Sequence, residues 1–197
     1  MVLLTVDLLR HGELEGGIKY RGQTDDPLTA AGRASMDMVW EALQDDVDVI
    51  ISSPLPRCAG PARQWAESAG IPLEIDARIA ELRYGEWEGL TMEAIEEKYP
   101  GMLARWRANP QGIQIPGGES MDALQERVAS FWEDVTNRHS EEHILIVAHS
   151  GSLRMLIAHV LNAPIISTRH MQMPYGCWSR ICHKQETNCV EFLNCQI

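Results

Sequence analysis

The sequence predicts an α/β fold, a three-layer sandwich in which helices cover both faces of a mostly parallel central sheet. Three observations carry that expectation. Apolar runs at residues 2–9, 47–52 and 143–148 read as buried strands. Stretches with helical spacing follow them, as the crossovers between parallel strands require. A length of 197 residues suits one domain, taken as residues 1–197, and no composition break suggests a second.

Taken in order, the first strand is rich in Val and Leu, interrupted only by Thr5 and Asp7, and ends in Arg10-His11-Gly12. Gly12 removes a side chain beside the imidazole, so an anion could approach closely. Residues 15–28 hold glycines, paired aspartates and Pro27, and are expected to form a loop. Thr29 is placed to cap a helix running to about Leu43, with Ala31, Ala34, Met38 and Ala42 near one face. The second strand leads through Ser52-Ser53-Pro54-Leu55-Pro56-Arg57 into a helix ending near Ala69 and closed by Gly70. A short strand at residues 73–75 precedes a loop of charges, aromatics and glycines at residues 81–89.

Helical pieces at residues 92–99 and 102–108 read as an insertion, about residues 91–118, over the face that carries the candidate site. After the break at Pro116-Gly117-Gly118, Ser120 caps a helix with Met121, Leu124, Val128, Phe131 and Val135 in helical register. The third buried strand runs into His149-Ser150-Gly151 and a helix with Leu153, Leu156, Ile157, Val160 and Leu161 on one stripe. Strands near residues 177–183 and 189–194 close the chain.

A net charge of −11 argues against nucleic acid or an anionic membrane as partner. No apolar run approaches the ~20 residues of a membrane span. The amino terminus lacks the basic region of a signal peptide, so a cytoplasmic location is expected. Cys58, Cys177, Cys182, Cys189 and Cys195 are odd in number, contain no Cys-x-x-Cys and are expected to be reduced structural thiols. Their spacing does not fit the usual zinc sites, and no metal or cofactor is expected.

The strand-to-helix junctions near His11, Arg57 and His149 should lie along one edge of the sheet. Free N–H groups at helix starts favour an anion there. Each group alone has a plainer reading, as a helix cap or a satisfied core histidine. Together, two arginines and two imidazoles suit a small dianion, most naturally a phosphoryl group. Neither a Walker-type loop nor Gly-x-Gly-x-x-Gly follows the first strand. A metal-free phosphoryl transfer needs a nucleophile, and unprotonated His11 is the candidate, with Arg10 and Arg57 neutralising the phosphoryl oxygens.

In this order, Arg10-His11-Gly12, Gly22-Gln23-Thr24-Asp25-Asp26-Pro27-Leu28-Thr29 with Gly32, and residues 52–57 and 81–89 resemble the histidine phosphatase superfamily, relatives of cofactor-dependent phosphoglycerate mutase. Gly117-Gly118-Glu119-Ser120 and Ala148-His149-Ser150-Gly151 extend the likeness over nearly the whole chain. The resemblance implies the phosphoglycerate mutase-like fold and a phosphohistidine at His11. Arg10, Arg57 and His149 would hold the phosphate. Glu81 matches the general acid, which must be protonated when substrate arrives and later activates water. Glu86 and Glu88 are nearby alternatives, but the Glu-Leu-x-x-Gly-x-Trp-Glu-Gly frame points to Glu81. Gly22, Gln23 and Ser150 are expected against the substrate, together with Trp87 beside the acid loop; the other tryptophans read as core or pocket wall.

Three departures stand out. Gly17 occupies the place of a phosphate-binding Asn in many relatives, Pro61 that of a Thr, and Ser150 that of the commoner Gly. Arg21 is the expected substitute for the missing amide. The insertion holds only Lys98, Arg105 and Arg107 as cations, without an Arg-Arg pair, so hydrolysis is expected over mutase action. Glu15-Gly16-Gly17, Tyr20-Arg21-Gly22 and the ending Gly176-Cys177-Trp178-Ser179 further resemble bacterial α-ribazole phosphatases. That implies α-ribazole 5′-phosphate as substrate. Another sugar phosphate, broad specificity, mutase action and a phospholigand-binding protein without turnover are the alternatives. The expected partner is a small phosphomonoester, with a homodimer left open.

Overall fold

A computed structural model of the chain describes residues 3–185 and 187–197. Among them, β1 (Leu4–Arg10), β2 (Val49–Ser52), β3 (Leu73–Ile75), β4 (His143–Ala148), β5 (Trp178–Lys184) and β6 (Thr187–Cys195) make one sheet ordered β3-β2-β4-β1-β5-β6. β1 to β4 run parallel, whereas β5 and β6 are antiparallel additions at one side. The helices are α1 (Ala30–Leu43), α2 (Pro56–Ala69), α3 (Met92–Lys98), α4 (Met102–Ala108), α5 (Met121–Arg138) and α6 (Ser150–Val160).

Strand periodicity produces the layers. Successive side chains point to opposite faces, so Leu8, Ile51, Ile144 and Ile146 pack with α5, α6 and the α3–α4 segment. Their neighbours Leu9, Ile50, Leu145 and Val147 pack with α1 and α2. The one buried carboxylate within β1, Asp7, is satisfied in place. It accepts from Arg180 Nε and Nη2 at 2.9 Å each and pairs with His143 Nε2 at 2.6 Å.

Thr29 Oγ1 accepts from Gly32 N at 2.8 Å and Ser120 Oγ from Ala123 N at 3.1 Å, so both expected caps are made. Several details differ from the sequence reading. Val2 lies outside the described residues, and the first strand begins at Leu4. β2 begins two residues later than expected, because Val47 N still donates to Leu43 O in the turn leaving α1.

The stripe expected on α1 is its exposed side: Ala31, Ala34, Met38 and Ala42 face outward. Met36, Val39, Trp40 and Leu43 are buried instead. They share the i, i+3, i+4, i+7 spacing and remove far more apolar area from water than alanines do. Leu161 also leaves its expected stripe, since α6 ends at Val160 and Leu161 is 49% exposed. No helix among the described residues is long and apolar enough to cross a membrane.

Candidate active site

β4 lies between β2 and β1, and all three are parallel. Their carboxyl ends therefore lie side by side and deliver His11, the Ser53–Arg57 turn and His149 to one place. Ligands bind at such an edge in open α/β sheets. Arg10 and His11 leave β1, Arg57 sits in the first turn of α2, and His149 is the residue before α6.

His11 is 4% exposed, and its Nδ1 lies 2.9 Å from Gly12 O. A carbonyl can only accept, so Nδ1 carries the proton and Nε2 keeps its lone pair. Burial, then the charges of Arg10 and Arg57, hold its pKa well below 6.5. The imidazole is thus neutral near pH 7, the form a nucleophile requires. Gly12 has a different role from the one expected. A Cβ there would meet Gly32 O at 1.9 Å, so the glycine admits the backbone of α1 and not an anion.

Arg57 is fixed by four hydrogen bonds. Nη1 donates to Thr24 O at 2.9 Å and Asp25 Oδ1 at 2.7 Å, Nη2 to Gly22 O at 2.7 Å, and Nε to His149 Nδ1 at 3.2 Å. A guanidinium has five N–H groups, so one on Nη2 remains for a ligand. Arg10 Nη1 donates to Met173 O, and its guanidinium lies 3.8 Å over the Tyr175 ring.

His149 is the partial exception among the expected phosphate ligands. It is wholly buried and lies behind His11, ring centroids 5.2 Å apart. Its Nδ1 accepts from Arg57, which leaves Nε2–H to donate to Ser53 Oγ at 2.7 Å. Burial, then His11 and Arg57, keep its pKa well below 6.5. It orients Arg57 and backs His11 and is not part of the cavity wall. The neighbouring Cys58 thiol is also wholly buried, and burial pushes its pKa up, so it offers no thiolate.

Glu81 faces the same cavity and is 7% exposed. Its Oε1 accepts from Leu82 N and Gly151 N, both at 3.0 Å, which seats the carboxyl at the start of α6. The other two carboxylates of that loop are occupied elsewhere. Glu88 accepts from Gln23 N, Thr24 N and Tyr84 N, while Glu86 pairs with Lys98 and Tyr99.

The cavity measures about 550 Å³. Gly22 and Ser150 border it. Arg21 does too, but it is mainly a brace for its own loop: Nε bonds Asp26 Oδ2 at 2.8 Å, and Nη2 bonds Glu15 O at 2.6 Å and Gly17 O at 2.8 Å. Two expectations fail. Trp87 is completely buried in the core and cannot touch substrate. Gln23 does not reach the wall, because its side-chain amide donates to Glu81 O at 2.8 Å. The wall instead includes Tyr84, Arg154, Arg169 and Tyr175, none of which the sequence reading singled out. Ser150 and Arg154 share the i, i+4 spacing on α6, the one signal that could have found Arg154.

A neutral buried imidazole, guanidinium groups and a carboxyl lining one cavity, all at the edge of a parallel sheet, define an α/β enzyme site for phosphoryl groups. A sequence profile of the histidine phosphatase superfamily (branch 1) matches residues 6–196. The chain belongs to that superfamily and is an enzyme of the phosphatase class. It is 32% identical over 161 residues to phosphoserine phosphatase 1 of Hydrogenobacter thermophilus, covering 80% of this chain and 76% of that protein. It is 30% identical over 177 residues to the adenosylcobalamin/alpha-ribazole phosphatase of Salmonella typhimurium, covering 88% of each. The crystal structure of the alpha-ribazole phosphatase from Shigella flexneri superposes with a TM-score of 0.86 at 30% identity, covering 97% of this chain and 96% of that one.

Proposed function

We propose that the protein hydrolyses small phosphomonoesters through a phosphohistidine at His11. The observation that carries this reading is the neutral imidazole with an unprotonated Nε2 in a cavity that Arg10, Arg57 and Glu81 also line. In the first step Nε2 attacks phosphorus, the ester P–O bond breaks, and the protonated Glu81 carboxyl gives its proton to the leaving oxygen. Arg10 and Arg57 offset the charge on the phosphoryl oxygens as it spreads. In the second step Glu81 takes a proton from water, the resulting hydroxide attacks phosphorus, and the P–N bond breaks to release phosphate. No metal enters either step.

The names of the relatives support two substrate types, phosphoserine and α-ribazole 5′-phosphate, and the second agrees with the sequence resemblance. Both belong in the assay. A cytoplasmic site of action fits small metabolites of either type. The test is phosphate release from a phosphomonoester panel together with acid-labile, base-stable labelling of the protein. His11→Ala is expected to lose both. Turnover that persists in this variant would exclude the phosphohistidine route.

A further inference from the structure

The chain carries a net charge of −11, yet seven Lys and Arg side chains and one carboxylate line the cavity. The inner cations are accounted for. Arg57 pairs with Asp25, Arg21 and Lys19 pair with Asp26, and Arg10 stands beside the nucleophile. The outer ones are not. Arg107, Arg154 and Arg169 have no carboxylate within 4.0 Å among the described residues.

Arg154 Nε is buried without any hydrogen-bond partner. Arg169 lies 5.4 Å over the Trp106 ring, and Arg107 donates to the Tyr20 hydroxyl at 3.1 Å. These groups also feel one another. Burial, opposed by Tyr20 and reinforced by Arg107 and Arg154, lowers the pKa of Arg169. The same Arg154 charge acts on Arg10. Arg154 lines the same cavity as Arg10 and Arg169. Arg107 and Arg169 are exposed, so water screens their mutual repulsion, whereas Arg154 holds an N–H shut off from water with no acceptor. An anion reaching Arg154 would satisfy that donor and meet the two exposed charges at the outer end. The phosphate cannot serve both ends, because it is drawn to Arg10 and Arg57 beside His11.

We propose that the outer end of the cavity is a subsite for a second anionic group of the substrate, gripped by Arg154 and Arg169 with Arg107 at the rim. The substrate class is then a small phosphomonoester that also bears a carboxylate or a second phosphate. This rests on the phosphatase reading above and selects among its substrates. α-Ribazole 5′-phosphate has only its phosphate as an anion and leaves the outer arginines unmatched. An O-phosphorylated amino or hydroxy acid matches both ends.

The test compares kcat/KM for p-nitrophenyl phosphate, α-ribazole 5′-phosphate, O-phosphoserine, 3-phosphoglycerate and fructose 1,6-bisphosphate. At least one doubly anionic ester is expected to exceed α-ribazole 5′-phosphate by about tenfold or more, the worth of one charged hydrogen bond. The carboxylates and the bisphosphate separate the two anion types. Arg154→Gln and Arg169→Gln should each lower the ratio of that ester to p-nitrophenyl phosphate by about tenfold, through KM more than kcat.

Titration calorimetry on the His11→Ala protein gives a reading independent of turnover. The preferred ester should bind more tightly than inorganic phosphate, and adding Arg169→Gln should remove that advantage. A preference for α-ribazole 5′-phosphate, or ratios unmoved in both variants, would overturn the subsite. Tight binding of the diacid without turnover by the unaltered protein would instead count against the phosphatase reading and leave the subsite standing.

Discussion

Glu81 and Gly151 test the acid step at the scale of single residues. A sugar or serine alkoxide needs a proton as it leaves, whereas a nitrophenolate scarcely does. Glu81→Gln should therefore slow phosphoryl transfer to His11 by roughly 100-fold or more with an alkyl phosphate and only mildly with p-nitrophenyl phosphate. Single-turnover rates are needed, because loss of phosphate from His11 is common to both substrates. Gly151 offers a second way to displace the same carboxyl. A Cβ there would lie 2.2 Å from Glu81 Oε1, so Gly151→Ala must move it. Alanine is the better helix former by about 1 kcal/mol, so the fold should hold while the substrate split of Glu81→Gln reappears. Equal slowing of both substrates in both variants would remove Glu81 as the leaving-group acid.

The loop between β1 and α1 shows the same economy at the scale of an element. Its carbonyls at Glu15 and Gly17 converge on Arg21, and those at Gly22 and Thr24 on Arg57. Arg21, the expected substitute for an amide at Gly17, spends its donors on Asp26 and the loop backbone. Arg21→Ala should thus loosen residues 15–28, seen as faster amide hydrogen exchange there, and raise KM several-fold. A variant with unchanged exchange and raised KM would make Arg21 a direct ligand and not a brace. α1 teaches a related point. Its apolar positions occupy two faces, and only side-chain area distinguishes the buried set, Met36, Val39, Trp40 and Leu43, from the exposed alanines.

At the scale of the whole molecule, the two site histidines link stability to pH. Both have folded pKa values well below 6.5, so above that pH they are neutral folded or unfolded, and stability is undiminished. As pH falls below about 6.5 the unfolded chain takes up protons that the folded one refuses, and stability is lost. The loss should approach ~1.4 kcal/mol per pH unit for each histidine. Urea midpoints measured between pH 7 and pH 5 should decline, and His149→Gln should flatten the decline. A level profile would mean that the imidazoles are not held neutral by the fold.

The sequence by itself marked where the elements fall, although the start of β2 and the end of α6 differ from it by one or two residues. Apolar runs marked β1, β2 and β4, Thr29 and Ser120 marked caps, and ordered motifs singled out His11, Arg57, Glu81 and His149 as candidates. All of these signals are local, spanning a few residues in a row. What only the tertiary structure decided depends on which distant segments become neighbours. The order β2-β4-β1 brings His149 behind His11 and onto Arg57, where its nitrogens are used up. Trp87, beside the acid in sequence, turns into the core, while Arg154 and Arg169 reach the cavity from α6 and the segment after it. Side-chain spacing fixes the face of an element. The partner of that face is chosen by packing across the sheet, which no local pattern records.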